Sequence, residues 1–270
     1  MLTQRLIAAA IGIPLILAVV LLGGALYTLV ACVILAMAAL ELAALLGPGD
    51  EQSSPWRPSI PAVAAVAGVV LITIAADVGG DEWTGAIVLS LGLVFLASLT
   101  LSPAEGGLWE WVAGCAVILY VGVLGSYLVI LRGLPEGEEW VLLAVLATWG
   151  ADTFAYFVGR GLGRHKMAPR ISPGKTWEGT AGAIAGGLIS VLIVDIILDL
   201  PMSTVEAALL GLVLPVVSVT ADLGESMIKR GAGVKDTSDL IPGHGGFLDR
   251  MDSILFTVPL VYYFAIWVVI

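Results

Sequence analysis

Residues 226–252 read SMIKRGAGVKDTSDLIPGHGGFLDRMD and hold four Asp, four Lys or Arg, one His and five Gly between two strongly apolar runs. Charge at that density beside apolar sequence is a poor packing solution. It suits a site for a multiply charged substrate, one that brings a metal ion. The preceding run ends TADLGESMIKR. If the helix continues through it, Asp222, Glu225, Ser226 and Lys229 fall at i, i+3, i+4 and i+7 and share one face. A carboxylate at mid-bilayer costs about 2.5–3.5 kcal/mol on insertion scales, so Asp222 should face a bundle interior or a water-filled cavity. The alternative is an interfacial helix end with snorkelling charges.

Beyond Arg230 the chain turns polar and glycine-rich. Gly243, Gly245 and Gly246 around His244 permit positive φ, and successive N–H groups there could form a nest for phosphate oxygens; a plain turn is the other reading. His244 is either a hydrogen-bond donor that steadies the loop or a metal ligand. The glycines lie between Lys235-Asp236 and the pair Asp249/Asp252. Acids at two helix ends with cations between them suit phosphoryl transfer. Mg²⁺ takes carboxylate, water and phosphate oxygens, while Lys and Arg offset phosphate charge. No Ser-His-Asp or Cys-His order stands out, and the His-Glu-x-x-His, Walker A and dinucleotide glycine signatures are absent.

A second cluster lies upstream, in WGADTFAYFVGRGLGRHK followed by MAPRISPGKTWEGT. Asp152 falls inside the end of an apolar run. There it serves as a ligand, as the partner of a cation, or as a packing residue. Ser172, Lys175, Thr176 and Glu178 lead into the next run. Ser-Pro-Gly-Lys-Thr lacks the upstream Gly and preceding strand of a P-loop, so Lys175 is a candidate phosphate contact, while Thr176 or Ser172 equally suits a helix cap.

The elements that position these groups follow from composition. Of 270 residues, 59% are hydrophobic and 13% charged, against about 45–50% and about 25% in soluble domains. Apolar runs of bilayer-spanning length recur, without the alternation of an outer-membrane barrel. We read nine spans, at 5–23, 25–46, 60–76, 85–101, 109–131, 139–159, 179–199, 205–224 and 253–270. Pro14, Pro215 and Pro259 lie inside spans, which membrane helices accommodate with kinks. Abundant Gly and Ala suit close helix packing in lipid. Cys32 and Cys115 read as small buried hydrophobes, with no disulfide framework. With the N-terminus in the cytoplasm, every Lys and Arg except Arg132 falls on the cytoplasmic side of nine crossings, as the positive-inside rule asks. Most of the net charge of −10 then lies outside. The expected fold is an all-α polytopic membrane bundle of about nine transmembrane helices, N-terminus cytoplasmic. Residues 1–138 form a scaffold and residues 139–270 a catalytic region with cytoplasmic loops 160–178 and 230–252.

At these residues the chain resembles the phosphatidate cytidylyltransferase (CDP-diacylglycerol synthase) family. The family's signature is filled by Ser226, Lys229, Arg230, Lys235, Asp236, His244, Gly245, Gly246, Asp249, Arg250 and Asp252, a 27-residue match. Asp152-Thr153-Phe154-Ala155-Tyr156 and Ser172-Pro173-Gly174-Lys175-Thr176-Trp177-Glu178-Gly179 also look like the family, although Gly174 stands where many relatives carry Lys. The resemblance implies the reaction of CTP with phosphatidic acid to give CDP-diacylglycerol and pyrophosphate, with Mg²⁺ and a companion K⁺. It further implies a homodimer, with dimer contacts in the N-terminal helices, in the cytoplasmic (inner) membrane, and no nucleic-acid partner. By analogy Asp222 and Asp249 bind metal, with Asp152 and Asp252 as further candidates, and Lys229, Asp222 and Asp249 are catalytic. Substrate contacts fall to Ser172, Lys175, Thr176, Glu178, Ser226, Arg230, Lys235, Asp236, His244, Gly245, Gly246 and Arg250.

The physical reading accommodates this chemistry. A lipid phosphate oxygen is already ionised near neutral pH, so neither a strong general base nor a covalent enzyme intermediate is required. The protein must bring two polyanions together and stabilise charge on the reacting phosphate and the leaving pyrophosphate. Another lipid phosphate could serve as acceptor. A transporter would string charges across the whole bilayer, whereas here they gather at the cytoplasmic ends.

Overall fold

The computed structural model describes residues 2–47, 58–103, 105–241 and 245–270. Helix dominates because long apolar runs in lipid must satisfy their own backbone hydrogen bonds. Among the described residues, eight helices are long and apolar enough to cross a bilayer. A further helix, α1 (Leu2–Leu22), precedes them. This is the all-α polytopic bundle expected from composition.

The chain divides into two compact units, the first made of Met1–Gly133 with Ala232–Met251 and the second of Leu134–Gly231 with Asp252–Ile270.

In the first unit α1 leads into α2 (Gly24–Leu46), α3 (Ile60–Val78) and α4 (Gly80–Leu101). Then α5 (Gly107–Val117), a π-helical turn (Ile118–Val123) and α6 (Leu124–Arg132) run on as one helix, Gly107–Arg132. Helix α3 is central, burying Ala65, Gly68, Val69, Ile72, Thr73 and Ala76 at a helical period. Small residues set its contacts. The Ser90 hydroxyl lies over Gly68 and donates to its carbonyl at 3.4 Å, and Gly122 lies against Val69. No loop separates α3 from α4: Gly79 and Gly80 have φ of 84° and 59°, a reversal that Cβ-bearing residues resist. Helix α4 therefore starts at Gly80, five residues before the expected span limit of 85. The short α10 (Leu248–Met251) packs on α2.

In the second unit α7 (Gly137–Leu162) is followed by a hairpin of β1 (Lys166–Ala168) and β2 (Ser172–Thr176), antiparallel with Lys166 opposite Thr176. The sequence reading had only a loop here. Then come α8 (Trp177–Leu198), α9 (Thr204–Gly231), α11 (Ile254–Phe264) and a π-helical turn, Ala265–Val269. Gly179, Gly182 and Gly186 form a stripe along α8 that lets α7 approach closely at Gly159, Val158 and Phe154. Pro215 in α9 has no N–H for the Gly211 carbonyl, and Gly187 of α8 meets both residues at that point. At 28 residues, α9 is about 42 Å long at 1.5 Å per residue, which exceeds an apolar layer of about 30 Å. Its last turns, from Asp222 on, form the charged end that the i, i+3, i+4, i+7 spacing anticipated.

Candidate functional site

In the second unit the polar end of α9 gathers four contacts. The Lys175 ammonium at the end of β2 lies 2.5 Å from Asp222 Oδ2, and the Ser226 hydroxyl donates to Asp222 Oδ1 at 3.4 Å. Lys229 pairs with Glu225 at 2.7 Å, one turn earlier on the same helix; the Glu225 side chain is 1% exposed and that of Lys229 is 12% exposed. Arg230 Nε donates to the Ile171 carbonyl at 3.2 Å, binding the hairpin to α9. The upstream cluster and the α9 end of the other thus meet within this unit.

Other residues of the second cluster hold backbone. Thr176 caps α8: its hydroxyl oxygen accepts from the Gly179 amide at 3.1 Å, and the residue is buried. That is the helix-cap alternative raised by the sequence, and it satisfies one of the orphan N–H groups of the first turn. Glu178 accepts from the amides of Arg164 and His165 and contacts His165 Nδ1 at 2.6 Å. It thereby pins the end of the α7–β1 connection to the start of α8. Ser172 begins β2 and is half-buried. Asp152, on α7, accepts from the Ser218 hydroxyl of α9 at 3.2 Å. Asp252 Oδ1 accepts from the Ser253 amide at 2.6 Å, and the Ser253 hydroxyl donates to the Ser218 carbonyl at 3.3 Å.

In the first unit the signature segment closes around two carboxylates. Asp249 Oδ2 receives the Thr237 amide at 2.9 Å and the Gly246 amide at 2.8 Å, with the Thr237 hydroxyl at 2.7 Å. Gly245 has φ of 77°, the left-handed region the sequence anticipated for this loop, and a Cβ there would meet Asp249 Oδ2 at 2.5 Å. At Gly246 a Cβ would collide with Thr237 Oγ1 and with both carboxylate oxygens of Glu41. Ile241 N donates to the Gly245 carbonyl at 2.9 Å. Lys235, Asp236 and Arg250 are exposed. His244 lies outside the described residues.

Glu41 is the residue that motif reading missed. It is 1% exposed on α2, a helix that carries no other charged residue. The signal was available: a lone carboxylate in a spanning helix costs about 2.5–3.5 kcal/mol unless it is partnered. Here it binds the signature segment and so draws 232–251 to the N-terminal helices, although the sequence grouping put that stretch with the C-terminal region. Among the described residues, no three His, Cys, Asp or Glu side chains converge as a ready metal cluster.

Comparison with known proteins identifies the family of the chain. The pattern of the cytidylyltransferase family matches residues 3–268. The phosphatidate cytidylyltransferase of Pseudomonas aeruginosa is 36% identical over 269 residues, covering 96% of this chain and 95% of that protein. The enzyme of that name from Synechocystis sp. is 33% identical over 292 aligned residues, covering 98% and 96%. The one from Bacillus subtilis is 40% identical over 146 residues, 54% of each chain.

Proposed function

The chain belongs to the cytidylyltransferase family, and from that membership we propose that it transfers the cytidylyl group of CTP to phosphatidic acid, giving CDP-diacylglycerol and pyrophosphate for phospholipid synthesis. A phosphate oxygen of the lipid attacks the α-phosphorus of CTP. The new P–O bond forms as the bond from that phosphorus to the bridging oxygen breaks, and the electron pair leaves on pyrophosphate.

The 2.5 Å contact of Lys175 with Asp222 carries the reading of the site. It joins a phosphate-binding candidate from the hairpin to the acid at the end of α9. Lys175, Lys229, Arg230, Lys235 and Arg250 offset phosphate charge, and Ser172 and Ser226 offer hydroxyl donors. Thr176, Glu178, Asp236, Gly245 and Gly246 shape the substrate loops, and His244 is a proposed substrate contact.

Mg²⁺ is the proposed cofactor, with K⁺ as companion. The donors suit it. Asp222 and Asp249 present hard carboxylate oxygens; Asp222 already faces a cation, and two backbone amides, with the Thr237 hydroxyl shared with Glu41, fix the rotation of Asp249. Asp152 and Asp252 are secondary candidates. When bound, the ion supplies Lewis-acid stabilisation of the phosphates. Asp222, Asp249 and Lys229 are the proposed catalytic groups. We also propose a homodimer in the cytoplasmic membrane, with residues 1–138 as scaffold and dimer surface, residues 139–270 carrying the chemistry, and the site facing the cytoplasm.

Purified protein in detergent, given labelled CTP, phosphatidic acid and Mg²⁺, should form CDP-lipid on thin-layer chromatography. Absence of that product, with CTP intact, refutes the assignment of substrates.

A further inference from the structure

Glu41 is a carboxylate buried in an apolar helix and met by three donors and one shared hydroxyl from one distant segment. Its Oε1 receives the Ser238 hydroxyl at 2.7 Å and the Phe247 amide at 3.1 Å. Its Oε2 receives the Leu248 amide at 2.8 Å and lies 2.9 Å from the Thr237 hydroxyl. That hydroxyl also lies 2.7 Å from Asp249 Oδ2. It carries one hydrogen, so it donates to one carboxylate at a time. Thr237 therefore stands between the two acids. Gly246 completes the arrangement, since a side chain there would occupy the space of the Glu41 carboxylate.

We propose that Glu41 is a positioning residue of the site: its carboxylate gathers Thr237, Ser238, Phe247 and Leu248 and so sets the orientation of Asp249. The proposal rests on the reading of Asp249 as a site residue. The partners come from both sides of the glycine turn, Thr237 and Ser238 before it and Phe247 and Leu248 after it. One carboxylate thereby fixes the two ends of the segment that grips Asp249.

Glu41→Gln is a sharp probe. Each Glu41 oxygen accepts one backbone N–H, so whichever way the amide turns, its NH₂ faces an amide donor of Phe247 or Leu248. Turnover should fall roughly 10- to 100-fold, the range for groups that orient a ligand. Hydrogen–deuterium exchange, run without nucleotide or metal, should show faster uptake at Thr237–Ser238 and Gly246–Asp249 and unchanged uptake in α3 to α6. Thr237→Val, which keeps the other three donors, should lose turnover, and Thr237→Ser should restore most of it. Unchanged uptake in the segment overturns the proposal. So does an equal rise throughout the first unit, or a Thr237→Ser enzyme as poor as Thr237→Val. Asp249→Asn is the separate control: near-normal turnover there refutes the role of Asp249, while the exchange data still report whether Glu41 holds the segment.

Discussion

Lys175 Nζ lies 2.5 Å from Asp222 Oδ2, an ion pair between residues 47 positions apart in sequence and only partly buried, at 21% and 34% side-chain exposure. Such a pair adds little to folding, about 1 kcal/mol or less. On the proposed function, its value lies in placing an ammonium and a carboxylate where phosphates and a cation would meet. Asp222→Asn should therefore shift the melting midpoint by only a few degrees while lowering kcat/KM by roughly 100-fold or more. Lys175→Met and the double variant close a cycle. Groups acting as one unit give a double variant barely worse than the worse single variant. Additive losses in kcat/KM refute joint action.

The pair of Glu225 and Lys229 makes the opposite prediction. With Glu225 at 1% and Lys229 at 12% exposure, removing one partner strands a buried charge at a cost of about 3–5 kcal/mol. Lys229→Met should lower the thermal midpoint sharply. The double variant Glu225→Gln, Lys229→Met should recover most of that stability, since it removes both charges at similar volume. Turnover should stay low in the double variant, because Lys229 is proposed to act on phosphate. Recovery of both stability and turnover makes the pair purely structural.

Gly246→Ala tests the crowding at the signature turn. The added methyl must displace Thr237 Oγ1 or the Glu41 carboxylate, and overpacking of this kind costs about 1–3 kcal/mol. Turnover should fall at least about tenfold, in line with the loss of a group that orients a ligand. The thermal midpoint and turnover are measured in the same detergent. Wild-type values for both sink the steric account.

Much of the architecture was legible because membrane helices advertise themselves by length and apolarity. The α9 face was legible too: 3.6-residue periodicity carried Asp222, Glu225, Ser226 and Lys229 to one side, and the helix does run on to Gly231. Spacing could not give the partner of each charge. Lys175 meets Asp222 through a hairpin whose three- and five-residue strands are short and show no apolar alternation. Glu41 is 196 residues from Thr237, and no local pattern links them. Its one sequence signal was the cost of its own burial. Thr176 offered a substrate contact and a cap with equal plausibility, and only the Gly179 contact identifies the cap.

The charges at the ends of α8 predict sidedness. Arg160, Arg164, Lys166, Arg170 and Lys175 cluster before it, whereas Asp195 in its last turn and Asp199 and Glu206 beyond it cluster at the other end. The positive-inside rule places the first group in the cytoplasm. Lys166 in the hairpin and Ser203 before α9 are both exposed, and α8 between them is long and apolar enough to span. With Cys32 and Cys115 replaced by Ala, Lys166→Cys and Ser203→Cys are labelled with a membrane-impermeant maleimide. In bacterial spheroplasts Ser203→Cys should react and Lys166→Cys should not. In inverted vesicles the pattern should exchange. The reverse pattern would turn the site outward, away from a cytoplasmic supply of CTP, and equal labelling from one side would mean that α8 does not cross.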